Sequence, residues 1–294
     1  MMEFTEDIFN KWILPPDDLD EEKLSDAVKI ITDIIHEDKI LGKMKIEVFG
    51  QGSYSNDTNV KLNNEIDINV RYMDNFYLDL QQEKNDSDFG LNARCNYSSL
   101  EFKSAVENTL VNKFGKEAIE RNDKYIYVKG NVNRIAQYIV PTCQYRRYSG
   151  KDSYEVGVKF QTDKGDWISN FPLQHIANAK TKNYRTQNKF KHLVRIFKRL
   201  RYKMIEDGDY IKAPSFLLEC LAWNIPDKIY NDNDSWSKLL KQSLIYLFNN
   251  IRNPNLCKNW YEASGLLPLF HSDRKWTVED VNIFLVRVWI YLKL

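Results

Sequence analysis

Apolar residues recur at helical spacing at Leu24, Val28, Ile31, Ile34 and Ile35, which predicts an amphipathic helix ending near His36. Pro15, Pro16 and the acidic run Asp17 to Glu22 before it read as a linker leading into a helix start, because carboxylates favour the first turn. Lys45 to Phe49 and Glu65 to Arg71 read as strands joined by the polar connection Asn56 to Asn64. Asp74 to Tyr97, rich in Asn, Asp and Gln, reads as a loop or small insertion. Leu100 to about Arg121 returns to helical spacing through Phe102, Val106, Leu110, Val111 and Phe114. Two further strands are predicted at Lys124 to Lys129 and at Val132 to Val140, the second closed by Pro141. Ser153 to Phe160 alternates again before the turn signal Asp163-Lys164-Gly165-Asp166. From Thr186 the period becomes helical throughout, predicting helices at Thr186 to Glu206, Pro214 to Trp223, Asp234 to Asn249 and Thr277 to Lys293. Thr277 with Asp280 marks a helix start, and Pro214 suits a first turn.

The pattern therefore predicts an α+β protein with a mixed sheet, followed by a helical lobe. The shift near residue 165 divides it into a core of 1–165 with an N-terminal helix and a lobe of 166–294. At 294 residues and 43% hydrophobic content, the chain can bury a sizeable core. A net charge of +1 excludes neither nucleotide nor nucleic acid, since local clustering decides more than the total. Cys95, Cys143, Cys220 and Cys257 form no C-x-x-C pair, so buried free thiols are expected rather than zinc or disulfides. Met1 to Trp12 lacks the basic start and apolar run of a signal peptide, and no stretch has the apolar length of a membrane span. A soluble, cytoplasmic protein is expected.

The candidate chemistry centres on Val48-Phe49-Gly50-Gln51-Gly52-Ser53-Tyr54 and Glu65-Ile66-Asp67-Ile68-Asn69-Val70. Alternation along a strand puts Glu65 and Asp67 on one face and Ile66, Ile68 and Val70 on the other. Two such carboxylates can hold a divalent metal, Mg²⁺ or Mn²⁺. Gly52 lets backbone approach a phosphate closely, and the turn's N–H groups and the Ser53 hydroxyl can donate to it. Lys189, Lys191, Arg195, Lys198, Arg199, Arg201 and Lys203 crowd one helix whose buried stripe is Phe190, Leu193, Val194, Phe197, Leu200 and Met204. Most of these cations are expected to face solvent. Tyr145-Arg146-Arg147-Tyr148 suits sheet-edge packing at least as well as a nucleic-acid contact, so nucleic-acid binding is not strongly indicated. His175 is expected to be a hydrogen-bonded structural residue, and Trp276, Phe284, Trp289 and Tyr291 to be core.

The Gly-Ser turn, its eleven-residue spacer and the acid-apolar-acid-apolar strand resemble the nucleotidyltransferase superfamily signature. Downstream stand Gln144 to Tyr148, Asn170-Phe171-Pro172, Gln174-His175, Asn178, Lys182-Asn183, Thr186, Phe190-Lys191, Val194-Arg195, Lys198-Arg199 and Pro214 to Cys220. With these, residues 45 to 226 resemble the bacterial cGAS/DncV-like nucleotidyltransferases, the cyclic oligonucleotide synthases of anti-phage (CBASS) signalling, and most of all the branch with pyrimidine-using members. The resemblance implies a polymerase β-like core, an active-site cleft between it and the helical lobe, ATP or other nucleoside triphosphates as substrates, and a regulatory or effector protein of the same system as a further partner. It implies that Gln51, Gly52 and Ser53 hold the triphosphate with Lys198 and Ser215, that Phe216 stacks on a base, and that Glu65 and Asp67 are catalytic and bind metal. A third acid usual in the family, in an Asp-apolar-apolar-Pro segment, is matched here by Tyr138 of Tyr138-Ile139-Val140-Pro141, with Asp123 or Glu155 as substitutes from neighbouring strands. The alternative is therefore a degenerate member that binds nucleotides or cyclic nucleotides as a sensor or regulator, and a third reading is nucleotidyl transfer to RNA or protein.

Overall fold

The computed structural model describes residues 4–16, 21–60, 65–80, 97–150 and 153–294. The acidic stretch 17–20, the end of the first connection at 61–64, and most of the Asn-rich stretch, 81–96 with Cys95, lie outside the described residues. In chain order the elements are α1 (Glu6–Trp12), α2 (Glu21–Glu37), β1 (Ile46–Gln51), α3 (Gly52–Ser55), β2 (Glu65–Leu80), α4 (Ser99–Phe114), β3 (Ile119–Arg121), β4 (Ile126–Val128) and β5 (Ala136–Gly150). There follow β6 (Ser153–Gln161), β7 (Trp167–Asn170), α5 (Pro172–Arg185), α6 (Lys189–Glu206), α7 (Ser215–Trp223), α8 (Asp227–Asn231), α9 (Trp236–Ile251), α10 (Pro254–Cys257) and α11 (Val278–Leu292). The chain divides into two units, one of Asp18–Ser55 and Asn63–Leu173, the other of Met1–Asp17, Asn56–Leu62 and Gln174–Leu294.

The first unit is a seven-stranded mixed sheet. β1 runs antiparallel to β2 with Gln51 opposite Asp67, and β2 runs parallel to β5 with Asp67 beside Tyr138. β4 and β3 continue the sheet beyond the first part of β5, while β6 and β7 pair along its later part. Ile66, Ile68 and Val70 share one face with Ile126, Val128 and Ile139, and pack against Ile31, Ile34 and Ile35 of α2 and Phe102, Val106 and Leu110 of α4. Ser98 and Glu101 close a capping box that starts α4 just before the predicted apolar pattern, and the helix ends at Phe114 and not near Arg121, because Gly115 follows at φ +85 and Ile119–Arg121 form β3.

The limits of β2 and β5 differ most from expectation. β2 continues to Leu80 through a register shift between Tyr72 and Phe76, so the first residues of the expected loop are strand. β5 begins only at Ala136, with Val132 fully exposed in the turn before it, and passes straight through Pro141. On the edge of β5 away from β2, pairing with β4 ends at Ile139 and pairing with β6 begins at Cys143. Pro141 therefore breaks no ladder there. The turn Asp163 to Asp166, with Gly165 at φ +91, is a hairpin joining β6 to β7 and not a domain boundary.

The expected division at 165 thus moves to Gln174, within α5, and residues 1–17 and 56–62 join the helical unit. The cause is α6. Its apolar stripe is buried as predicted, but many of its cations are not solvated. Arg195 donates to Ile13 O at 3.0 Å and ion-pairs with Asp57, Arg199 donates to Lys11 O and Leu14 O at 3.1 and 3.0 Å, and Lys198 bonds to Thr58. Phe9 of α1 completes the tie by entering the core with Phe190, Phe197, Leu217, Tyr230 and Phe284. Lys182 of α5 is buried against Ile225 O and Asp227 among the rings of Phe190, Trp223 and Tyr230. Cys143, Cys220 and Cys257 are buried thiols in no disulfide, as expected. Among the described residues no helix is long and apolar enough to cross a membrane.

Candidate functional site

In the sheet unit, β1 ends at Gln51 and the chain turns into α3 at Gly52, whose φ of +75 lies in the left-handed region that favours glycine. A Cβ on Gly52 would overlap Asp67 Oδ2 and come within 2.9 Å of Asp67 Cγ. No larger residue can stand there while Asp67 keeps its place, so the turn and the acid are built against each other. Gln51, Asp67 and Tyr138 are aligned across three strands, and Glu65 lies two residues before Asp67 on the same face.

Behind this row the face stays polar and tightly bonded. Asn69, fully buried, donates from Nδ2 to Gln51 Oε1 at 3.1 Å and accepts at Oδ1 from the Thr142 hydroxyl at 2.7 Å. One residue pair further on, buried Arg71 pairs with Glu47 and lies over the Phe49 ring. This brace fixes the Gln51 side chain immediately before Gly52. Asn69 and Thr142 carry no motif of their own; the signal for Asn69 was its position two residues past Asp67 on the same face.

The Tyr138 phenol lies within reach of the Glu65 carboxylate. Burial first, and then Glu65, push the phenol well above the usual tyrosine range, so it stays protonated at neutral pH. Its ring is wedged against Tyr125, with centroids 4.6 Å apart, and Tyr127, 5.2 Å away. Neither Asp123 nor Glu155 joins the two acids. Asp123 accepts from the Lys164 and Asp163 backbones beside the β6–β7 turn, and Glu155 is registered opposite Arg147. Among the described residues, no group of three His, Cys, Asp or Glu side chains is placed to share a metal. Glu65 and Asp67 are hard oxygen donors of the kind that could hold Mg²⁺ or Mn²⁺.

In the helical unit, Ser215 opens α7 directly after Pro214, and Phe216 follows it. One turn later Glu219, in an otherwise apolar helix, is buried and accepts from four side chains. Asn56 Nδ2 bonds to one oxygen; Thr58 Oγ1 and Lys198 Nζ, each at 3.1 Å, bond to the other. His175 Nε2 lies 2.8 Å from Oε1 and must carry its hydrogen there, since an ionised carboxylate only accepts. Burial pushes Glu219 up, but the facing Lys198 and His175 more than offset this, so its carboxyl lies well below the usual range. Phe216 is flanked by the His175 and Trp276 rings at 5.4 and 6.0 Å and by the Arg274 guanidinium, itself paired with buried Glu262.

The structure thus brings Gln51, Gly52, Ser53, Glu65 and Asp67 together in one unit, and Lys198, Ser215 and Phe216 in the other. His175 is the structural residue expected of it. Lys198 differs from expectation: its three donors go to Thr58 O, Thr58 Oγ1 and Glu219, and only 3% of its side chain is exposed. Glu219 was missed as a functional position, although a lone acid in the run Leu217-Leu218-Glu219-Cys220-Leu221 is itself the mark of a buried, paired charge.

Comparison with known proteins adds the following. Residues 177–293 match the family model of the cGAS/DncV-like nucleotidyltransferase C-terminal helical domain. The cyclic dipyrimidine nucleotide synthase CdnE of Cecembia lonarensis is 51% identical over the whole of both chains. The enzyme of the same description from Legionella pneumophila is 34% identical over 98% of both. The solved structure of Rhodothermus marinus CdnE c-UMP-AMP synthase, with Apcpp and Upnpp, superposes with a TM-score of 0.83 at 25% identity, covering 99% of this chain and 97% of that one.

Proposed function

Because the chain belongs to the cGAS/DncV-like nucleotidyltransferases, within the CdnE cyclic nucleotide synthases, we propose that it condenses two pyrimidine nucleoside triphosphates into a cyclic dinucleotide. The pyrimidine choice rests on the two dipyrimidine synthases that match it end to end. Each of the two steps is an attack by a ribose hydroxyl on an α-phosphate; one P–O bond forms, the bond to the leaving pyrophosphate breaks, and the hydroxyl proton passes to solvent.

The observation that carries this reading is the abutment of Gly52 on Asp67, which sets the backbone of the turn directly against one acid of the carboxylate pair. The N–H groups of the turn and the Ser53 hydroxyl donate to the triphosphate, with Gln51 held in place by Asn69. Ser215 and the start of α7 offer further donors, and Phe216 offers its ring to a base. Lys198 acts first by holding Thr58 to Glu219 and thereby fixing α7; its contact with a phosphate requires release from Glu219. Glu65 and Asp67 would hold Mg²⁺ or Mn²⁺, which when bound offsets the charge of the triphosphate and its leaving group. Use of nucleoside triphosphates supports a cytoplasmic location, where an effector protein of the same anti-phage system would read the product.

The test is incubation of the chain with each of the four radiolabelled triphosphates and Mg²⁺ or Mn²⁺. Label from UTP or CTP entering a phosphatase-resistant cyclic product supports the assignment, and absence of such a product under every condition contradicts it. The Tyr138 hydroxyl beside Glu65 favours one second reading, a nucleotide-binding regulator without turnover. Calorimetry showing tight binding indifferent to Mg²⁺, with no product, selects it.

A further inference from the structure

One half-buried ring in the helical unit is held from two other elements. Phe216, the second residue of α7, has the His175 ring of α5 at 5.4 Å. From the connection between α10 and α11 come the Trp276 ring at 6.0 Å and the Arg274 guanidinium at 5.2 Å. Each neighbour is pinned in turn. His175 bonds to buried Glu219, and the Trp276 indole donates to Leu269 O at 2.9 Å. Arg274 Nε donates at 2.5 Å to Glu262, whose side chain is 1% exposed, and His271 Nε2 lies 3.2 Å from the same oxygen. The guanidinium also lies over the Trp276 ring, at 5.4 Å. Core packing alone asks for aliphatic neighbours, and buried charges are rare unless paired. Here two buried carboxylates, each with a desolvation cost, stand behind the neighbours of a single ring. The connection from Lys258 to Thr277 that carries Glu262, His271, Arg274 and Trp276 has no helix or strand, and connections of that length in compact domains are commonly functional.

We propose that Arg274 is a positioning residue for base binding: its guanidinium, anchored by Glu262, sets the Phe216 ring in the orientation in which it stacks on a pyrimidine. This rests on the nucleotide reading given above. Stacking on a phenyl ring needs the ring plane fixed, and a phenylalanine side chain is otherwise free to turn about its broad outer torsion. A cation held against the ring resists that motion. A planar guanidinium lies against two rings while still bonding a carboxylate, which an ammonium cannot do. The Arg274 side chain is 8% exposed, so it acts on a base through Phe216 and not by touching it.

The experiment measures, by calorimetry on the full chain with Mg²⁺, the affinity for a non-hydrolysable UTP analogue and for inorganic triphosphate, which has no base. The proteins are the wild type, Arg274→Met, Arg274→Lys, Phe216→Leu and the double variant of Arg274→Met with Phe216→Leu. Arg274→Lys keeps a cation beside Glu262, so the buried carboxylate is not left uncompensated. Affinity for the analogue should fall about 3–10-fold in Arg274→Met and in Arg274→Lys, and about 5–100-fold in Phe216→Leu. The double variant should bind no more weakly than Phe216→Leu, and triphosphate affinity should be the same in every variant. Triphosphate affinity that falls in step with the analogue, wild-type affinity in Arg274→Lys or in Phe216→Leu, or losses that multiply in the double variant overturn the inference and leave the synthase reading in place. No binding of the analogue by the wild type overturns the nucleotide reading instead.

Discussion

Replacing Glu219 with glutamine changes one atom in the most charged part of the helical interior. Glu219 and Lys198 are 5% and 3% exposed, and the carboxylate has four side-chain donors around it. In Glu219→Gln the Lys198 ammonium keeps its two bonds to Thr58 but loses its counter-charge, and the new amide turns two hydrogens toward groups that are themselves donors. Breaking a buried pair from one side typically costs about 3–5 kcal/mol, because a charge is left buried and uncompensated. At about 2–4 °C per kcal/mol for a unit of this size, the helical transition falls by roughly 6–20 °C. Circular dichroism melting of Glu219→Gln, Lys198→Met and the double variant measures this. The double variant should recover at least about 2 kcal/mol relative to the sum of the singles, since removing both charges removes the penalty that each single leaves. A Glu219→Gln melting point within about 1 °C of wild type, or strict additivity in the cycle, would refute the view that this ion pair holds α6 and α7 together.

Three further outcomes follow. Glu219 has its carboxyl held below the usual range in the folded chain, so its stabilisation is complete above the unfolded glutamate value of about 4.3 and is lost as pH falls through the lower folded value. The melting-point gap between wild type and Glu219→Gln should therefore be constant from pH 6 to 8 and shrink below about pH 4. Gly52→Ala forces a side chain onto Asp67 at a left-handed backbone position; nucleotide affinity by calorimetry should fall at least about tenfold, while the far-ultraviolet spectrum stays that of the wild type. Asn69→Ala strips the buried Thr142 hydroxyl of its acceptor and Gln51 of its donor, and should cost about 1–3 kcal/mol in urea unfolding.

Local pattern was enough to find β1, the Gly52 turn and the Glu65–Asp67 alternation, because a period of two with one buried face leaves a direct trace in the sequence. The buried stripe of α6 and the capped start of α11 were legible for the same reason. What escaped depended on distant partners. α5 is made mostly of polar residues and has too few apolar positions to announce a helix. β5 crosses Pro141 because its neighbours change there, which is a property of the sheet and not of the strand. The Arg195 and Arg199 side chains looked solvated until the carbonyls of Lys11, Ile13 and Leu14 were seen to lie under them. In the site, the composition of the acid pair was readable, but the placing of Tyr138 beside Asp67 depends on a parallel register between strands more than sixty residues apart.

The central claim is that the Gly52 turn and the acids beside it form a cyclising nucleotidyltransferase site. Mass spectrometry of the products formed from UTP and CTP tests it most directly, with Asp67→Asn run beside the wild type. The account predicts a cyclic dipyrimidine dinucleotide, with two pyrophosphates released per ring, from the wild type and none from Asp67→Asn. A cyclic product formed equally well by both proteins, or by neither, would contradict it.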